Sequence, residues 1–189
     1  MPKKMKVFYD FEFIEDYGTV EPISVGMVRE DGKELYLVFN DFNTLKVAKH
    51  GWLMNNVMPY IGHEEFTSHV TGLGTPVKDF IITDEHAVSK AVGRAAILAF
   101  VEDIWPDFWA WYGAYDHVAL CSLFGSMIDL PANFPMFTSD IKQLVKAAGN
   151  PVMPKQPENL HNALDDARFN VVRYEYLTAL LDGENNGSE

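Results

Sequence analysis

Apolar and polar positions along the chain change period several times, and each change marks an expected element. Residues 6–13 (KVFYDFEF) form a short apolar run with carboxylates at alternate positions, the two-residue period of a strand. A polar turn over residues 15–19 leads to a β-branched stretch, residues 22–28 (PISVGMV), which reads as a second strand. Asp31-Gly32 then marks a tight turn that returns residues 34–39 (ELYLVF) antiparallel to it. Residues 44–57 carry Leu45, Ala48, Trp52 and Leu53 at helix-like spacing, ended by Pro59. Residues 62–80, with glycines at 62, 72 and 74 and a proline at 76, read as a long irregular loop.

The second half alternates helices with short strands. Thr83 is placed to cap a long helix reaching about residue 104, with Val88, Ala91, Val92, Ala95, Leu98 and Val101 as its apolar stripe and Pro106 closing it. An aromatic strand over residues 108–112 (FWAWY) precedes a helix from about Asp116 to Gly125. Residues 136–139 (MFTS) read as a fifth strand, and Asp140 opens the helix that stops at Gly149. Three prolines, at 151, 154 and 157, keep the next segment extended until His161. The last helix runs from about Asn162 to Leu181, leaving residues 182–189 as a disordered tail. The order predicts an α/β fold, a mixed sheet of about five strands with the first three antiparallel, flanked by helices, in one domain spanning residues 1–181.

Asp10 and Glu12 do not fit a purely structural strand. Residues two apart share a face, so the two carboxylates lie side by side while Val7, Tyr9, Phe11 and Phe13 take the other face. Like charges buried together repel and lose hydration, a cost that a divalent cation offsets. Taken alone, the pair also fits the solvent side of an amphipathic edge strand. Asp116, at a strand-to-helix junction, and Asp166, in the last helix, extend the acidic set, with His161 five residues before Asp166. Several carboxylates on rigid elements suit a two-metal site, and an imidazole can take a proton from water near neutral pH.

The net charge of −12 argues against a general electrostatic grip on nucleic acid, although a local site remains compatible with it. One cysteine, Cys121, rules out an internal disulfide and a cysteine-based zinc cage. The basic N-terminus lacks the apolar run of a signal peptide, and no stretch approaches the length of a membrane span. A soluble, cytoplasmic protein is the expectation.

The order D-x-E (Asp10, Glu12), Asp116 and H-x-x-x-x-D (His161, Asp166) resembles the DEDDh branch of 3'-5' exonucleases, whose fold is RNase H-like. The stretches YDFEFIEDYGTVEPISVGMV, WAWYGAYDHVALCSLFG and HNALDDARF are similar to the actinobacterial and phage exoribonuclease family that trims RNA 3' ends and favours adenylate tracts. The similarity spans residues 7 to about 176. It implies an RNase H-like fold and a single-stranded RNA 3' end as substrate. It also implies two Mg²⁺ or Mn²⁺ ions held by Asp10, Glu12, Asp116 and Asp166, with His161 deprotonating the attacking water. Two positions depart from the wider exonuclease pattern. Tyr112 stands where an Asn is common, and Phe13 replaces a small hydroxyl residue after the first Glu. A Phe there can stack a terminal base, and Tyr115 is a second candidate for substrate contact.

Neighbouring residues have plainer readings. Asp140 and Asp165 suit helix capping, and His117 suits an exposed first turn. Lys142, Lys146, Lys155, Arg168 and Arg173 give at most a modest basic rim for an RNA backbone, most of it solvated helix face. A homodimer is consistent with exposed aromatics but is not implied by them.

Overall fold

A computed structural model describes residues 3–72, 74 and 76–186. Its first strand is long: β1 (Lys3–Asp16) turns at Tyr17-Gly18 into β2 (Thr19–Arg29), which returns through Asp31-Gly32 into β3 (Glu34–Phe39). Both pairings are antiparallel, as the alternating pattern and the two turns require. There follow α1 (Thr44–Lys49), α2 (Gly51–Asn56), β4 (His63–Val70), β5 (Pro76–Ile82), β6 (Ala87–Val88) and α3 (Lys90–Phe100). The remaining elements are β7 (Ile104–Ala110), α4 (Gly113–Phe124), β8 (Ser139–Asp140), α5 (Ile141–Ala147) and α6 (Ala163–Asn186). The main sheet has six strands in the order β6-β3-β2-β1-β7-β8, mixed and flanked by helices, an α/β architecture consistent with an RNase H-like fold.

Each face of the sheet buries its own cluster. Val7, Tyr9 and Phe11 of β1 pack with Ile23, Val25 and Met27 of β2 and with Ala119, Leu120 and Leu123 of α4. Phe8, on the opposite face, packs with Ile141 and Val145 of α5 and Leu177 of α6. Asp10 and Glu12 share the parity of Phe8, so β1 presents them on the side that α6 covers. Gly26, directly opposite Asp10 on β2, is what lets α6 come so close. A Cβ there would fall on the Ala163 carbonyl oxygen and the Leu164 Cα. Gly26→Ala is expected to cost roughly 1–3 kcal/mol by overpacking, seen as a Tm lowered by about 2–10 °C, with weakened activity because the first turn of α6 is displaced. Wild-type melting and activity for Gly26→Ala would show that α6 has another seat.

Several expected boundaries shift. Residues 62–80 are not an irregular loop: β4 and β5 pair as a separate antiparallel hairpin. Almost every β4 side chain is exposed, so the hairpin lacks the apolar alternation by which a strand is recognised. The long helix begins at Ser89, whose hydroxyl accepts from the Val92 N–H, and not at Thr83. Residues before it form a turn on Asp84, and Ala87 and Val88 pair with β3. That helix ends at Phe100, and β7 starts at Ile104 and runs through Pro106. Beyond β1, β7 pairs with β8 only at Trp109 and Ala110, so the proline leaves no ladder bond missing on that side. The fifth expected strand shrinks to Ser139–Asp140, and α4 starts three residues early, at Gly113. The tail expected from residue 182 is helical as far as Asn186, and residues 187–189 lie outside the described residues. The proline segment is free of helix, and Asp140 caps α5 through the Lys142 N–H at 2.8 Å. Among the described residues no helix is long and apolar enough to cross a membrane.

Candidate active site

The site forms where β1 outruns its neighbour. Parallel pairing with β7 stops at Phe8 and Trp109, while β1 continues to Asp16. Beyond that point the free edge of β1 needs other partners. The Tyr9 carbonyl accepts from the side-chain amide of fully buried Asn170 on α6, at 3.2 Å. The Phe11 N–H donates to Asp116 Oδ1 at 2.8 Å. Asp116 lies in the first turn of α4, which the left-handed Tyr112 (φ 62°) aims across the end of β1.

The third side comes from the chain entering α6. Asn162 caps the helix, its Oδ1 accepting from the Leu164 and Asp165 N–H groups at 3.1 Å. Asp165 turns outward to Asn159 and Arg168, in keeping with a structural role. Asp166 turns inward, and its Oδ2 accepts the His161 N–H at 2.9 Å. The His161 ring lies half exposed, its Nδ1 3.9 Å from Glu12 Oε1 and its plane edge-on to Trp52, with centroids 4.8 Å apart. Donor atoms of Glu12, His161 and Asp166 all lie within 4.8 Å of one another, close enough to hold one metal ion.

Asp10, Glu12, Asp116, Asp166 and His161 therefore open onto a single cleft of about 570 Å³. Its walls also include Phe13, Tyr115, Trp52, Trp111, Tyr112 and Arg173. Phe13 is half-buried and packs at the margin of the core cluster of Val7, Tyr9 and Phe11, the face that alternation expects. The β1–β2 register slips at Glu12, where Ile23 is an extra residue on β2, and Phe13 stacks flat on Tyr115 at 5.6 Å and 4°. Trp52 carries no local signal in sequence, since it lies in a helix beside no motif, and Arg173 reads there only as one of five cations of a modest basic rim.

The electrostatics are those of an uncompensated acidic cluster. Burial pushes Asp10 well above the ordinary carboxylate value, and the charges of Asp116, Glu12 and Asp166 add to the rise. Burial, then Asp166 and Asp116, push Glu12 up to about 9. Asp116 is pushed up to about 8 by burial, against the pull of the Phe11 N–H. Asp166 is raised by burial, although the Gln156 side chain and the His161 amide hold it down. Oxygen donors that are buried, crowded and repelling are what hard divalent cations bind, so the residues present fit such ions.

A stability consequence follows for the metal-free protein. Glu12 and Asp116 keep protons in the folded state that the unfolded chain releases, so their contribution is fully present below their ordinary values of 4.5 and 3.8. It is lost as the pH rises through about 8 and 9. Melting in EDTA is expected to show Tm falling by about 5 °C or more between pH 5 and pH 9, with Glu12→Gln flattening the fall. A Tm independent of pH would contradict the buried cluster.

No family model matches the chain. It is 36% identical over 180 residues, 94% of this chain and 96% of the relative, to the 3'-5' exoribonuclease Rv2179c of Mycobacterium tuberculosis strain ATCC 25618 / H37Rv. The same values hold for the 3'-5' exoribonuclease MT2234.1 of strain CDC 1551 / Oshkosh. The chain belongs to this 3'-5' exoribonuclease family. Family membership extends over nearly the whole chain, so it takes in the sheet and the helices that build the cleft as one unit.

Proposed function

We propose that this protein is a DEDDh-type 3'-5' exoribonuclease that removes nucleoside 5'-monophosphates from single-stranded RNA, with adenylate-rich ends as preferred substrates. The observation that carries the reading is the convergence of Asp10, Glu12, Asp116, Asp166 and His161 in one cleft, in a member of the exoribonuclease family. The four carboxylates would hold two Mg²⁺ or Mn²⁺ ions, which when bound supply electrophilic stabilisation of the phosphoryl oxygens and a more acidic water.

The chain's own groups divide the remaining work. His161 accepts the proton of the attacking water, and the backbone bond from its N–H to Asp166 fixes where the ring pivots. Water adds to phosphorus as the bond to the 3' oxygen breaks, leaving a 5'-monophosphate and a shortened RNA whose 3' oxygen takes up a proton. The flat Phe13–Tyr115 pair offers a stacking platform for the terminal base. Trp52, edge-on to His161, restricts the imidazole and borders the same cleft.

A time course on 5'-labelled single-stranded RNA and matched DNA, with Mg²⁺, Mn²⁺ or EDTA, tests this on a sequencing gel. A metal-dependent ladder shortening RNA from its 3' end supports the reading. A ladder on DNA alone would move the substrate to DNA, and intact oligomers that are still bound would indicate an RNA-binding module without hydrolysis.

A further inference from the structure

Most positive charges on this acidic chain already face a carboxylate. Arg29 bridges Asp31 and Asp103, Lys90 meets Glu21, Lys46 meets Asp16, and Arg168 is held by Glu34 and Asp165. Among the described residues, Lys142 and Arg173 have no such ion pair, yet both are fixed beside the cleft. The Lys142 ammonium lies 4.6 Å from the ring centroid of Trp111 and 5.4 Å from that of Tyr112. The Arg173 guanidinium lies 4.3 Å from the same Trp111 ring and 4.6 Å from Phe169. Two cations thus share one indole, and Trp111, Tyr112 and Arg173 all line the cleft.

Ring attraction holds each cation in place but does not cancel the repulsion between them. Arg173 makes one side-chain hydrogen bond among the described residues, from Nη1 to Asn170 Oδ1 at 2.8 Å, so the rest of its donor fork is free. The charges of Asp10 and Asp166 act on Arg173, which serves partly as their counter-charge. Lys142 has no such duty. An anion arriving from outside would relieve the pair, and a planar fork beside a point charge suits the oxygens of a phosphodiester.

We propose that Lys142 and Arg173, both held against Trp111, are the backbone-phosphate contacts that seat the RNA strand as its 3' end enters the cleft. This rests on the exoribonuclease reading and adds where the strand runs, over α5 and α6. Neither residue acts on the scissile bond, and both contribute equally to bound substrate and transition state. Loss of Lys142 raises KM and leaves kcat in place, whereas loss of Arg173 also removes the counter-charge of Asp10 and Asp166, so its effect is read in the binding slope and not in kcat.

The test uses Lys142→Gln, Arg173→Gln and Arg173→Lys in the full chain. KM and kcat are measured on single-stranded RNA, and binding of labelled RNA is measured over a range of salt in an Asp10→Ala background. Each Gln variant is expected to raise KM and Kd about 5- to 10-fold, with the slope of log K against log salt reduced by about 0.7 per cation removed. Arg173→Lys should keep the slope while losing part of the affinity. Unchanged slopes in Lys142→Gln and Arg173→Gln would overturn the proposal. So would a fall in kcat or Tm with the slope intact, which would make the pair scaffolding. Lys142 is half exposed, so its variant keeps the test decisive if Arg173→Gln folds poorly. Wild-type protein that leaves RNA intact would sink the exoribonuclease reading alone, because the binding slopes are read without turnover.

Discussion

Asp10→Ala is expected to abolish shortening of RNA while raising the melting temperature of the metal-free protein. The two effects have one cause. Asp10 is crowded by Asp116, Glu12 and Asp166, with Arg173 as the opposing charge. Removing one carboxylate relieves the other three when no cation is bound, a gain read as Tm increased by about 2–4 °C per kcal/mol. The same change removes a ligand from the centre of the proposed metal site, and turnover should fall by roughly 10³-fold or more. A gel time course and a melt in EDTA read both effects from one preparation. Lost activity with an early melt would instead make Asp10 a structural residue, and retained activity would remove it from the site.

The second large effect belongs to His161. His161→Ala should lower kcat by about 10²–10⁴-fold with KM little changed, because in the proposed mechanism the imidazole acts on the attacking water and not on the bound strand. The fold should survive. The His161 N–H bond to Asp166 is made by backbone, which alanine keeps, and the ring is half exposed beside Trp52. Metal affinity measured by calorimetry should be retained to within a few-fold. Wild-type turnover would place the general base elsewhere, whereas a collapse of metal affinity would make His161 a ligand alongside Glu12 and Asp166, whose donor atoms share its neighbourhood.

Asp10 and Glu12 were legible as candidates because they interrupt an apolar strand, whereas Asp116 and Asp166 stood out through the order of the D-x-E, D and H-x-x-x-x-D positions along the chain. Residue chemistry at odds with its surroundings shows in one dimension. What stayed hidden depends on three-dimensional neighbours. Gly26 looks like a weak point in a strand until α6 is seen lying on it. Trp52 is about a hundred residues from His161 in sequence, and nothing at either position announces the other. The β4–β5 hairpin looks like a loop in sequence because it leaves nearly all of its first strand to solvent. Lys142 and Arg173 do not stand apart in sequence from the other cations of a modest basic rim, because ring stacking leaves no trace in a charge pattern.

His161 has a left-handed backbone, with φ 71°. A side chain with a Cβ gives up about 1 kcal/mol or more in that conformation, and glycine gives up almost nothing. A chain under selection for durability alone would therefore carry glycine at position 161, with asparagine the next choice. Under the proposed mechanism, keeping an imidazole there is a compromise in favour of turnover. Sequence drift at this one position, toward glycine or asparagine, would mark descendants that have kept the architecture and given up the reaction.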